Sequence, residues 1–91
     1  MARITVFGRD DCGKCKATRS KVNHVVEKLG VSDRVEIVHY DVTSEEGMAE
    51  GAFRDVLEIP TTIIDDGQQD IRRWTAIIPD SEELEDALKA L

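Results

Sequence analysis

Two short β-branched runs flank one amphipathic helical pattern, and this arrangement constrains the chain more than any other feature. "RITVFG" (Arg3 to Gly8) is β-branched and aromatic and stops at a glycine, so it reads as a strand. In "CGKCKATRSKVNHVVEKLG", Val22, Val25, Val26 and Leu29 fall at i, i+3, i+4 and i+7, one face of a helix that Gly30 ends. "RVEIVHYDV" (Arg34 to Val42) reads as a second strand. Strand, helix and strand in that order make a βαβ unit, whose two strands run parallel.

The remainder extends this unit. "SEEGMAEGAFRDVLE" (Ser44 to Glu58) reads as a weaker helix capped by Ser44, with Met48, Ala52, Val56 and Leu57 inward. Gly47 and Gly51 each weaken it by about 1 kcal/mol relative to alanine. In "IPTTIIDDGQQDIRRW", "TTIID" and "QQDIRRW" are the strands of a hairpin with "DG" at its turn. After Pro79, "DSEELEDALKAL" is a helix with Leu84, Ala87, Leu88 and Leu91 along one stripe; Asp80 and Glu83 have capping-box spacing. The order is β-α-β-α-β-β-α. It predicts an α/β fold in which one four-stranded mixed sheet carries helices on both faces. At 91 residues the chain is expected to be a single domain, 1–91.

Charge and hydropathy narrow the function. A net charge of −7 argues against nucleic acid, whose phosphates need a basic face, and favours a protein partner. No run approaches the roughly 18 apolar residues of a membrane span. "MARITVFG" lacks the apolar core of a secretory signal, so the expected location is the cytoplasm. Thiols are kept reduced there, and a close cysteine pair reads as catalytic or metal-binding rather than structural.

The chain's two cysteines, Cys12 and Cys15, form such a pair in "DDCGKCKAT". At a helix start, unsatisfied backbone N–H groups and the positive end of the helix dipole favour thiolate over thiol. Lys14 and Lys16 add positive charge, which Asp10 and Asp11 partly oppose. Cys15 lies seven residues before Val22 on the buried stripe, whereas Cys12 precedes the first full turn and should face solvent. An exposed attacker over a sheltered resolver suits two-step thiol–disulfide exchange. The expected cofactor is none beyond the redox-active Cys12–Cys15 disulfide, with no metal. Three other readings stand beside exchange. One is a pair of buried structural cysteines. Another is a zinc or iron–sulfur module, although zinc wants four ligands and neither a second Cys-x-x-Cys nor a paired His is present. The third is a redox-inactive interaction domain.

The other candidates are weaker on their own. An X–Pro bond is cis only about 5–6% of the time, so Pro60 by itself reads as a trans proline opening a strand. Trp74 reads as a sheet-packing aromatic, Arg72 and Arg73 as a solvated edge, His24 as a surface residue and His39 as a packed histidine.

Together, these residues resemble the thioredoxin and glutaredoxin superfamily over nearly the whole chain. "TVFGRDDCGKC" is similar to the first strand and active-site turn of small glutaredoxins, and "IPTTIID" to their cis-proline strand. The resemblance implies a thioredoxin fold, a cis Ile59–Pro60 bond beside Cys12, and a dithiol–disulfide oxidoreductase. In that role Cys12 is the nucleophile and Cys15 the resolver. Ile59, Pro60 and Thr61 shape the substrate groove, and Gly13, Lys14 and Trp74 contribute to substrate binding at its rim. A narrower resemblance, through Cys12, Cys15, Lys16, Ala17, Thr18, Trp74 and Pro79, is to glutaredoxin-like redoxins that supply ribonucleotide reductase; Thr75, Ala76, Ile77 and Ile78 depart from that pattern. Glutathione-binding relatives carry Gly-Gly, an aromatic, Thr and Asp where this chain has Arg72, Arg73, Trp74, Thr75 and Ala76. The resemblance also puts a buried aspartate six residues before the first cysteine in thioredoxins, where this chain has Val6. It therefore implies a monomer that reduces a disulfide-containing protein, ribonucleotide reductase among the candidates, and draws electrons from a thioredoxin-reductase-like flavoprotein. The rival is a glutathione-dependent glutaredoxin.

Overall fold

A computed structural model describes every residue, Met1–Leu91. The elements are β1 (Ala2–Gly8), α1 (Gly13–Leu29), β2 (Val35–Asp41), α2 (Glu45–Phe53), β3 (Thr61–Asp65), β4 (Asp70–Thr75) and α3 (Ser81–Lys89). The strands form one mixed sheet in the order β2-β1-β3-β4. β1 runs parallel to β2 and antiparallel to β3, which pairs antiparallel with β4. The expected element order and four-stranded mixed sheet are both present.

Side-chain alternation along β1 divides the interior into two layers. Ile4 and Val6 join Ile64, Trp74, Val22, Val25, Val26, Leu84 and Leu88 in a core between the sheet and the α1–α3 pair. Thr5 and Phe7 point the other way, toward α2, and are fully buried with Thr61 and Ile63. Phe7 stacks on Tyr40, its neighbour in register. The α1 stripe is Cys15, Thr18, Val22, Val25 and Val26, all buried. Gly30 ends the helix at φ +66°, a left-handed turn that suits glycine, with its N–H bonded to the Glu27 carbonyl. α3 begins at Asp80, whose carboxylate accepts from the Glu82 and Glu83 amides. No helix is long and apolar enough to cross a membrane.

Two elements differ from expectation. α2 ends at Phe53, and its buried residues are Gly47 and Gly51, while Met48 and Leu57 are 55% and 91% exposed. The helix approaches the end of β2 too closely for side chains on that face. A Cβ on Gly47 would overlap the Asp41 carbonyl. Gly47, which weakens the helix in isolation, is what allows it to dock, whereas a Cβ on Gly51 would meet only Val56, at an ordinary 3.7 Å. The hairpin turn is also longer than "DG". Asp66 accepts from the Gln68 and Gln69 amides at 2.9 Å each, so the turn occupies 66–69 and β4 starts at Asp70.

Candidate active site: the Cys12–Cys15 pair beside Pro60

β1 delivers the chain to Gly8, and the loop to α1 is closed by the Cys12 amide donating to the Arg9 carbonyl at 3.3 Å. Cys12 is the N-cap, extended at φ −106° and ψ 111°, and its Sγ accepts from the Cys15 amide at 3.1 Å. Sulfur thus occupies the place usually taken by a Ser or Asp oxygen, satisfying one orphan donor of the helix start. Cys12 is half-buried, whereas Cys15 is 0% exposed, which is the asymmetry read from the helical stripe. The two are joined as a disulfide with Cα atoms 5.2 Å apart, within the ordinary range for that bond.

Gly8 makes this packing possible. A Cβ there would lie 2.7 Å from the Cys15 Cβ and 2.9 Å from its Sγ. From sequence Gly8 reads only as a strand stop. The one local signal of its contact with Cys15 is a glycine four residues before a Cys-x-x-Cys pair.

Gly13 and Lys14 are exposed beside the disulfide. The aspartates preceding it pair with arginines rather than the lysines: Arg9 with Asp11 at 3.2 Å, Arg19 with Asp10 at 3.9 Å. The Ile59–Pro60 bond is cis. Thr61 pairs with Phe7, so the antiparallel register carries Pro60 level with Gly8, the residue against which Cys15 packs. The Pro60 carbonyl accepts from the Ala76 amide at 2.8 Å, and the Thr61 hydroxyl donates to the Glu58 carbonyl at 2.6 Å. Ile59 borders an open cleft of about 250 Å³ with Arg9, Val42, Val56 and Leu57. A larger apolar cleft, about 380 Å³, opens among Ala2, Val31, Val35 and Leu91 at the opposite end of the sheet and contains none of these groups.

No family model and no curated protein matches the sequence. The structure does match solved thioredoxins. Thioredoxin 1 from the thermophilic eubacterium Thermosipho africanus superposes with a TM-score of 0.76 at 26% identity, over 97% of this chain and 91% of that one. Thioredoxin-2, a component of the malaria parasite protein secretion machinery, gives 0.83 at 16% identity, over 100% and 84%. Thioredoxin O2 from Arabidopsis thaliana gives 0.81 at 15% identity, over 100% and 75%. The chain has the thioredoxin fold.

Within this thioredoxin fold, several readings need correction. Trp74 does not line a rim. It is 3% exposed and belongs to the core, because its register position opposite Thr62 faces α1 and α3. Its indole N–H donates to Glu83 Oε1 at 3.1 Å, and Arg72 lies 4.9 Å above the ring while binding Glu83 Oε2 at 2.8 Å. Glu83 is therefore drawn away from a capping box. Its carboxyl is held below the usual range, first by the indole bond and then by Arg72. His39 is exposed on the edge strand β2 rather than packed. It borders a small polar cleft with Arg19 and Asp41, and partial desolvation, then Arg19, lowers its pKa. Arg73 is exposed on the edge strand β4, as read, and its guanidinium also reaches the end of α2, where it meets the Arg54 carbonyl. Val6, six residues before Cys12, is 1% exposed and belongs to the apolar core.

Proposed function

We propose that this thioredoxin-fold protein is a dithiol–disulfide oxidoreductase that reduces protein disulfides. The observation that carries the reading is the Cys15 amide donating to Cys12 Sγ at 3.1 Å, with Cys15 fully buried behind it. The same bond, aimed at a reduced Cys12, stabilises the thiolate, because charged acceptors gain more from an N–H than neutral ones do. Cys12 thiolate attacks one sulfur of the substrate disulfide. A Cys12–substrate bond forms, and the other substrate sulfur leaves as a thiolate that takes up a proton. Cys15 then loses its proton and attacks Cys12 Sγ, forming the Cys12–Cys15 bond and releasing the second substrate thiol. Two electrons pass to the substrate, and a donor must return two.

Pro60, with the Ile59 and Thr61 backbone, forms the groove for the substrate chain, and Gly13 and Lys14 border it. A thioredoxin-reductase-like flavoprotein suits the donor role better than glutathione. Arg73 spans the region where glutathione binders have glycine, and Ala76 stands where they have an acid. Ribonucleotide reductase remains a candidate substrate, and a cytoplasmic monomer the expected state.

The test is reduction of the oxidised protein by thioredoxin reductase with NADPH, run beside glutathione with its own reductase, each coupled to insulin disulfides. Turnover in the first arm supports the reading; turnover only with glutathione assigns the rival. Cys15→Ser is expected to trap a one-to-one mixed disulfide on Cys12, visible by mass, and Cys12→Ser to abolish exchange. Insulin untouched in both arms, with bound zinc or iron in the purified protein, would overturn exchange in favour of a metal module.

A further inference from the structure

Arg73 leaves the sheet for the opposite layer. It donates from Nη2 to the Arg54 carbonyl at 2.6 Å and from Nη1 to the Asp55 carbonyl at 3.3 Å. These are carbonyls at the end of α2, where the helix dipole is negative and a cation is favoured. Arg54 reaches back in turn. Its Nη2 binds Asp70 Oδ1 at 2.8 Å and lies 3.8 Å from Asp65 Oδ2, and Nη1 meets the Thr5 hydroxyl at 3.4 Å. Arg54 is 14% exposed and Asp65 12%, so that pair is shielded from competing water, while Asp70 and Arg73 remain partly exposed at 49% and 33%. Two arginines therefore staple the end of α2 to the β3–β4 hairpin.

What the staple holds is the start of the segment leading to Pro60. Asp55 is left-handed at φ +56°, and the Val56 amide returns to the Gly51 carbonyl at 2.8 Å. Beyond them Leu57 projects at 91% exposure, and Ile59 borders the cleft shared with Arg9. A segment with so little buried side chain has no packing of its own to define its path.

We infer that Arg73 is a positioning residue: its guanidinium clamps the Arg54 and Asp55 carbonyls, so that the 55–59 segment presents a fixed apolar edge to an extended protein disulfide. The inference rests on the exchange reading above. Arg73 touches neither cysteine through any hydrogen bond, so a small disulfide that needs no groove does not depend on it.

The experiment compares wild type, Arg73→Ala and Arg73→Lys. Each is assayed for reduction of insulin and of a small aromatic disulfide, and each is followed by amide hydrogen exchange. In Arg73→Ala the KM for insulin is expected to rise about fivefold or more while kcat for the small disulfide changes less than about twofold. Exchange at residues 55–59, with the Val56 amide as reporter, should quicken about tenfold without change in the core strands. Lysine, which can bind one carbonyl but not both, should give intermediate values. Equal slowing on both disulfides, or unchanged exchange at 55–59, would overturn the clamp. If wild type reduces neither disulfide, the exchange reading fails, while amide exchange still decides whether Arg73 orders the segment. If Arg73→Ala does not fold, Arg73→Lys supplies the same comparison.

Discussion

Gly8→Ala tests the packing on which the cysteine pair depends. The new Cβ would lie 2.7 Å from Cys15 Cβ and 2.9 Å from Sγ. Non-bonded carbons settle at about 3.5–4.0 Å, so about 1 Å has to be recovered. Neither obstructing atom yields cheaply: Cβ is fixed to the helix backbone, and Sγ is tied to Cys12. Either the end of β1 or the first turn of α1 must move. Overpacking of this kind costs about 1–3 kcal/mol. For a chain of this size each kcal/mol lowers Tm by about 4–8 °C, so a fall of about 4–24 °C is expected. In the reduced protein Sγ can rotate away from Gly8, which relieves one of the two overlaps. The oxidised form should therefore lose more. A difference of about 1 kcal/mol between the forms raises the reduction potential by about 20 mV. Thermal unfolding of both redox forms, with redox equilibration against a dithiol couple of known potential, measures both quantities. Stability within about 0.5 kcal/mol of wild type in both forms, the range of a neutral surface change, would refute the argument.

Two further outcomes are expected. Glu83 titrates below its ordinary value of 4.5 because ionised Glu83 accepts from Trp74 and Arg72. A depressed carboxylate contributes stability above its unfolded pKa and loses it as pH falls through the folded one. Wild type should therefore weaken below pH 4.5, and Glu83→Gln should flatten that acid limb, followed by the fluorescence of the chain's single tryptophan; an unchanged limb would discard the assignment. Ser44 caps α2 by accepting from the Gly47 amide at 2.9 Å, so Ser44→Ala should cost about 1 kcal/mol in the denaturant midpoint, and an unaltered midpoint would argue that α2 adds nothing to global stability.

Part of this architecture is legible in residue spacing. The α1 stripe from Cys15 to Val26, the stop at Gly30 and the cap at Ser44 rest on interactions within a few residues, and the order of residues encodes those directly. The same periodicity buries Cys15 and exposes Cys12. It fails for α2, where helical spacing points Met48 inward, because the inward face is chosen by clearance against the Asp41 carbonyl rather than by hydrophobicity.

Alone, then, the chain's order of residues determined which segments are strands and helices and put two cysteines at a helix start, since backbone propensity and short-range hydrogen bonds act within a turn or two. Tertiary packing decided the rest. It aligned Pro60 with Gly8, folded Trp74 under α3 and sent Arg73 across to the Arg54 carbonyl. Those placements join residues far apart in the chain, and they follow from sheet register and available volume, quantities that exist only once the strands have paired.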